Sequence, residues 1–109
     1  MKQINVQQVE EKLKNNEDVT LIDVRETDEV AAGKIPGVIN IPLGLIEFRM
    51  QELDKSKEYV MVCRSGSRSG LATQFLQSHG FNVTNMGGGM ISWQGDVETS
   101  RQNNYTMSR

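Results

Sequence analysis

Several residue types and patterns are scarce in this 109-residue sequence, and each scarcity excludes a class of protein. The chain has one cysteine, so it can form neither an internal disulfide nor a zinc site built from several thiolates. It has no basic run and a formal net charge of −2, which argues against nucleic acid as the main partner. The length of the chain allows a single domain, and a monomer is the simplest state for a chain of this size.

Long hydrophobic runs are also missing. No apolar stretch is long enough to cross a membrane, so we expect no membrane partner. The segment after Met1 contains charge but no apolar core of the kind that a signal peptide needs. We therefore expect a cytoplasmic domain whose cysteine stays reduced.

What the sequence does contain is an alternation of short apolar segments with helical patterns. The β-rich segments are residues 19–24, 38–41, 59–63 and 82–86. Asn5 can cap a first helix, with Gln8 placed to complete a capping box. Residues 45–53 have a weak helical period, and residues 69–80 carry an apolar stripe. Strands separated by helices predict βαβ units and hence an α/β fold with a parallel sheet.

Two features follow the last predicted strand. The three consecutive glycines from Gly87 to Gly89 predict a tight backbone turn, because they lack the spaced lysine and Ser/Thr of a phosphate loop. Residues 98–109 are polar and aperiodic, and they predict a flexible tail after a domain of residues 1–97.

The single cysteine ends the third predicted strand and is followed at once by a polar loop. Ligands of open α/β sheets bind beyond the carboxyl ends of the strands, where this loop is expected. Gly66 allows a turn in which backbone N–H groups point inward, and these groups form an anion site with the start of the next helix. Arg64 and Arg68 add positive charge, while Ser65 and Ser67 can donate hydrogen bonds.

Every feature of this loop stabilises negative charge, so we expect the pKa of the Cys63 thiol to be lowered. The thiolate is the nucleophilic form of cysteine, which makes Cys63 the candidate nucleophile. The alternative is a small buried hydrophobe at a strand end. The two arginines and two serines that follow Cys63 favour the nucleophile.

Three segments carry a resemblance to a known family: "LIDVRETDEVAAGKIPGVINIPL", "CRSGSRS" and "NMGGGMISW". They resemble, in this order, the Asp-Val-Arg-Glu segment, the active-site loop and the closing Gly-Gly-x-x-x-Trp segment of rhodanese-like sulfurtransferases. Together they cover most of residues 5–96. The resemblance implies a three-layer α/β domain in which helices flank a central parallel sheet of about five strands.

The chemistry that the resemblance implies is sulfur transfer. Cys63 would take the outer sulfur of a donor such as thiosulfate and carry it as a persulfide to a thiophilic acceptor, cyanide or a thiol. The loop amides from Arg64 to Arg68 would stabilise the charged persulfide, and both arginines would attract a small anionic donor. Neither a metal nor an organic cofactor is implied, and the donor could also be a protein.

The sequence departs from the family pattern at two positions. Lys34 replaces the usual histidine before Ile-Pro-Gly, and Val30 replaces a common aromatic residue. We expect only packing or surface consequences from both. The one histidine, His79, falls in the last turn of a predicted helix, remote from Cys63, so no general base is evident. A thiolate that is already formed needs none.

Other residues near the predicted site have two possible roles each. Asp23 and Arg25 follow a buried strand, and with Glu29 they form either an ion-pair network that anchors the loop region or direct contacts with substrate. The network is the favoured interpretation. Trp93 is expected to pack in the core under the glycine turn, although it could also provide a platform for substrate.

Two other functions remain open from the residues. Cysteine-dependent phosphatases and arsenate reductases also hold a thiolate in an anion site, but they place five residues between Cys and Arg. Here four residues separate Cys63 from Arg68, which suits a sulfur atom better than a phosphoryl group. The second alternative is a persulfide carrier that docks to a protein partner. The intact cysteine and arginines argue against an inactive domain.

Overall fold

Five parallel strands form one sheet in the computed structural model, which describes residues 1–99. The strands are β1 (Gln3–Ile4), β2 (Thr20–Asp23), β3 (Ile39–Asn40), β4 (Glu58–Val62) and β5 (Asn82–Met86). Their order across the sheet is β1-β5-β4-β2-β3. The helices are α1 (Val6–Lys14), α2 (Thr27–Ala32), α3 (Ile46–Arg49), α4 (Ser67–Ser78) and α5 (Gly89–Ser92). Short 3-10 turns at Leu43–Leu45 and Met50–Glu52 flank α3.

Helices cover both faces of the sheet, so the domain has the three layers that the resemblance implies. The central strands β2 and β4 place successive side chains in different cores, as the alternation of a strand requires. One core lies against α3 and α4 and includes Ile22, Met61 and Leu76. The other lies against α1 and includes Val9 and Val60. The α/β prediction is confirmed.

The pairing of β2 with β4 fixes where the candidate site lies. Asp23 is in register with Val62, and the Val24 N–H donates to the Val62 carbonyl at 2.8 Å. Because both strands run in the same direction, the residues that follow them leave the sheet at the same edge. Val24 and Cys63 therefore follow the two strands at the same edge, and Arg25 comes directly after Val24.

Most of the predicted elements appear close to their predicted positions. Each of the four predicted strand segments contains an observed strand, and the Asn5 capping box has both of its hydrogen bonds, at 2.8 and 3.0 Å. The helix α4 begins at Ser67, two residues before the predicted start at residue 69. It begins earlier because Gly66, in a left-handed conformation, directly precedes its first residue.

Two elements were missed. Strand β1 has only two residues, too few to show a strand pattern in the sequence. It is defined by its pairing with Asn85 and Met86, which are distant in the chain. The short helix α2 lies in a segment where the sequence predicted only the residues that end a helix, Gly33 among them. Its first turn is closed by a hydrogen bond from the Glu26 N–H to the Glu29 carboxylate at 2.9 Å.

The first residue of the predicted tail, Glu98, makes a backbone contact with the domain. Glu98 forms an isolated antiparallel bridge with Lys34, with N–H to carbonyl distances of 2.9 Å in both directions. Residues 100–109 of the predicted tail lie outside the described residues, and the domain boundary stays a prediction. Within residues 1–99, none of the helices has the length and apolar character that a membrane crossing requires.

Candidate active site

Cys63 directly follows β4 and is 1% exposed. Its Sγ atom accepts a hydrogen bond from the Gly66 N–H at 3.0 Å and another from the Ser69 hydroxyl at 3.2 Å. The first donor comes from the turn of the loop, and the second comes from the first turn of α4. The loop therefore curls around the sulfur atom and directs polar hydrogens at it.

These hydrogen bonds oppose the effect of burial on the pKa of the thiol. Burial raises the pKa of Cys63, but hydrogen bonds from the Ser69 hydroxyl and from the backbone of Ser69, Gly66 and Ser65 lower it by more. The net effect is a pKa below the ordinary value of a cysteine thiol. The amino end of α4 adds a partial positive charge from its helix dipole. The site thus favours a thiolate.

Gly66 shapes the loop. Its φ of 105° lies in the left-handed region, where a side chain is strained, and this conformation turns its N–H towards the sulfur. Its carbonyl accepts the Gly70 N–H at 3.0 Å and the Asn85 side-chain amide at 3.2 Å. Asn85 is buried on β5, so the peptide groups of the loop are anchored to the sheet.

The glycine turn after β5 packs against the other side of the loop. The N–H groups of Met90 and Ile91 donate to the carbonyls of Cys63 and Arg64 at 2.9 and 3.0 Å. A Cβ on Gly89 would overlap the Arg64 carbonyl, so only glycine fits at that position. The predicted tight turn is thus present, and the residues after it hold the carbonyls of Cys63 and Arg64 by hydrogen bonds.

The two arginines of the loop differ in their surroundings. The Arg64 side chain is exposed. Arg68 is half-buried and makes a bidentate ion pair with Glu29 of α2, at 2.7 and 3.0 Å. The hydrogen bonds from Arg68, followed by that from the Glu26 backbone, lower the pKa of Glu29 to about 2. Glu29 is therefore a carboxylate at any physiological pH.

A buried ion pair anchors α2. Arg25 donates to both carboxylate oxygens of Asp23, the shortest contact being 2.8 Å, and the two residues are 7% and 0% exposed. Arg25 also donates to the carbonyls of Gly33 at 2.7 Å and Glu29 at 3.5 Å. The favoured ion-pair network is present. It reaches the loop through Glu29 and Arg68.

Comparison with known proteins assigns the family. The model of the rhodanese-like domain family matches residues 5–96. The chain belongs to this family. It is 44% identical over 98 residues to "Putative sulfurtransferase YtwF" of Bacillus subtilis. The matched region covers 90% of this chain and 95% of that protein. It is 39% identical over 92 residues to "Sulfurtransferase" of Allochromatium vinosum, over 84% of this chain and 86% of that protein.

Solved structures agree with the assignment. The crystal structure of a rhodanese-like domain protein from Staphylococcus aureus superposes with a TM-score of 0.86 at 32% identity. The superposition covers 91% of this chain and 98% of that one. The sheet and helices described above are therefore those of a rhodanese-like domain.

Two residues of this rhodanese-like site were not predicted from the sequence. Ser69 is the last residue of the quoted "CRSGSRS" motif, so the motif itself contained the signal for its role at the sulfur. Asn85 had no signal, because it contacts Gly66 across 19 positions of the chain. Its Oδ1 atom is buried without a hydrogen-bond partner.

The other residues that the sequence analysis named, within residues 1–99, form no hydrogen bond with the Cys63 sulfur. His79 ends α4, where its Nδ1 lies 2.9 Å from the Phe75 carbonyl. Trp93 packs against the core on the α1 side and donates to the Asp96 carbonyl at 3.0 Å. Lys34 takes part in the bridge with Glu98, and Val30 is buried. Within residues 1–99, no cluster of three or more His, Cys, Asp or Glu side chains could hold a metal ion.

Proposed function

We propose that this rhodanese-like domain moves sulfane sulfur from a donor such as thiosulfate to a thiophilic acceptor through a persulfide on Cys63. The observation that carries the proposal is the Cys63 sulfur itself, which receives the Gly66 N–H and the Ser69 hydroxyl. A buried thiol with a structural role alone needs no such donors. A thiolate nucleophile does.

The reaction has two displacements. In the first, the Cys63 thiolate attacks the outer sulfur of thiosulfate, a new S–S bond forms, and sulfite leaves with the electron pair of the broken bond. In the second, cyanide or a thiolate attacks the outer sulfur of the persulfide, and the Cys63 thiolate is the leaving group. No electrons enter or leave the overall reaction, so no redox cofactor takes part.

The loop lowers the energy of both sulfur anions. The donors that hold the Cys63 thiolate are already oriented before the reaction, so no reorganisation is required when the persulfide forms. The remaining N–H groups of residues 64–68 are the candidates to hold the terminal sulfur. A general base is unnecessary, because the pKa of Cys63 is lowered and the thiolate forms without one.

Phosphoryl transfer is less well supported by the same site. Four residues separate Cys63 from Arg68, and the Arg68 guanidinium is occupied by the Glu29 carboxylate. A phosphatase needs such a guanidinium to bind the oxyanion. The persulfide carrier differs from the enzyme only in its donor and acceptor, and it uses the same covalent intermediate.

Steady-state kinetics test the proposal. Initial rates at varied thiosulfate and cyanide concentrations are expected to give parallel double-reciprocal lines, the pattern of a covalent ping-pong mechanism. The Cys63→Ser variant is expected to fold and to form no thiocyanate above background. Intersecting lines, or substantial thiocyanate from the variant, would refute a Cys63 persulfide. Hydrolysis of a phosphate ester by the wild type would favour the phosphatase.

A further inference from the structure

The charges around the Cys63 loop are balanced, although the sequence suggests a positive site. Three arginines lie in or beside the loop, namely Arg25, Arg64 and Arg68. Three carboxylates accompany them: Asp23 and Glu29 as ion-pair partners, and Glu26 within electrostatic range of Arg68. A thiolate on Cys63 makes the site negative overall. A dianion such as thiosulfate therefore meets little net attraction.

The carboxylate of Glu29 compensates the positive charge of Arg68. Both oxygens of its carboxylate bind the guanidinium, and one of them also accepts the Glu26 N–H at 2.9 Å. Its backbone carbonyl contacts Arg25. A carboxylate held from several directions is preorganised, so it retains Arg68 in this orientation instead of letting the guanidinium turn to a bound anion.

On the basis of the sulfur transfer proposed above, we propose that Glu29 is a specificity-determining residue that withholds Arg68 from the donor. The domain then disfavours dianionic thiosulfate and accepts sulfur more readily from donors with one negative charge. Hydropersulfides of thiols and thiosulfonates belong to this class. With methanethiosulfonate, the Cys63 thiolate takes the outer sulfur and methanesulfinate leaves with the electron pair of the broken S–S bond.

Thiosulfate and methanethiosulfonate form a suitable pair of probes. Both present a terminal sulfur on a hexavalent sulfur centre, but thiosulfate carries two negative charges and methanethiosulfonate carries one. The measured quantity is the ratio of their kcat/KM values with cyanide as the acceptor. A change in this ratio reports discrimination by charge, because a general loss of loop order affects both donors.

The Glu29→Gln variant keeps the size of the side chain and removes its charge. We expect the ratio to rise about tenfold towards thiosulfate at low ionic strength, and most of this gain to disappear at high salt because the interaction is electrostatic. The matched control is Glu52→Gln, which breaks the exposed ion pair with Arg49 in the segment that precedes β4. It changes the net charge equally and is expected to leave the ratio unchanged.

A second variant tests whether the gain depends on Arg68. In the double variant Glu29→Gln with Arg68→Gln, the ratio is expected to return to about the wild-type value, because no cation is released. Thermal unfolding of each variant establishes that it is folded. A gain that persists without Arg68 would overturn the proposal.

The outcomes also separate this inference from the proposed function. If the wild type takes sulfur from neither donor, the proposed function fails and this inference fails with it. If the wild type uses both donors but Glu29→Gln leaves their ratio unchanged, sulfur transfer stands and the role of Glu29 is wrong. A ratio that rises in Glu29→Gln, depends on Arg68 and falls with salt supports the inference.

Discussion

The Gly66 amide nitrogen lies 3.0 Å from the Cys63 sulfur and donates a hydrogen bond to it. This contact closes the four-residue loop, residues 63–66, between the end of β4 and the start of α4. The left-handed conformation of Gly66 allows its N–H to point at the sulfur. The contact that stabilises the thiolate is thus formed by a local turn, and more distant residues anchor that turn.

Ser69→Ala removes the hydroxyl that donates to the Cys63 sulfur. A hydroxyl that donates to the sulfur stabilises the thiolate, so its removal is expected to raise the pKa of Cys63. The pH dependence of iodoacetamide alkylation measures that pKa. Ser78→Ala, which removes an exposed hydroxyl at the other end of α4, is the control and should not change it. An identical profile for wild type and Ser69→Ala would remove Ser69 from the site.

Gly89→Ala places a methyl group against the Arg64 carbonyl at a positive φ of 58°. The strain and the overlap together are expected to lower the free energy of unfolding by about 2–4 kcal/mol and to reduce sulfur transfer. Urea unfolding measures the first effect. Gly44→Ala is the matched control, since a Cβ there meets nothing within 4 Å. Equal stabilities for the two variants would contradict the described packing of the loop against α5.

Asp23→Asn leaves the buried Arg25 guanidinium without its carboxylate. Removing one partner of a buried pair costs about 3–5 kcal/mol, so the free energy of unfolding is expected to fall by an amount in this range. Breaking the exposed pair by Glu52→Gln is expected to cost much less, because solvent screens that pair. Denaturant unfolding compares the two variants. A loss below about 1 kcal/mol for Asp23→Asn would indicate that Arg25 finds other partners.

Glu29 makes stability depend on acidity. Its pKa is about 2 in the folded chain against an ordinary 4.5, so its ionised form stabilises the fold. This contribution is complete above pH 4.5 and is lost as the pH falls towards 2. The stability difference between wild type and Glu29→Gln is therefore expected to shrink over that interval. Urea unfolding at a series of pH values measures it, and a difference that stays constant would show that Glu29 does not titrate as described.

Local features of the site could be predicted from the sequence. The Asn5 capping box and the loop from Cys63 to Arg68 each depend on residues a few positions apart, whose geometry follows from residue type. The ends of parallel strands also meet at one edge of a sheet, which placed Asp23 near the cysteine. These parts of the fold and the site follow from short-range rules.

Long-range contacts could not be predicted in this way. The ion pair of Arg68 with Glu29 joins residues 39 positions apart, and the hydrogen bond from Asn85 to Gly66 joins two elements separated by α4. Strand β1 likewise can be identified only from its pairing with Asn85 and Met86, about 80 positions away in the chain. The sequence therefore suggested two free arginines at the loop, whereas the fold gives one of them a carboxylate partner.

Intact-protein mass spectrometry under non-reducing conditions tests the central claim most directly. The wild-type chain is measured before and after incubation with thiosulfate or methanethiosulfonate, and again after cyanide is added. We predict a gain of about 32 Da that maps to Cys63, disappears with cyanide and is matched by released thiocyanate. If neither donor gives a mass gain, or if the added sulfur resists cyanide, Cys63 does not carry transferable sulfur and the account is contradicted.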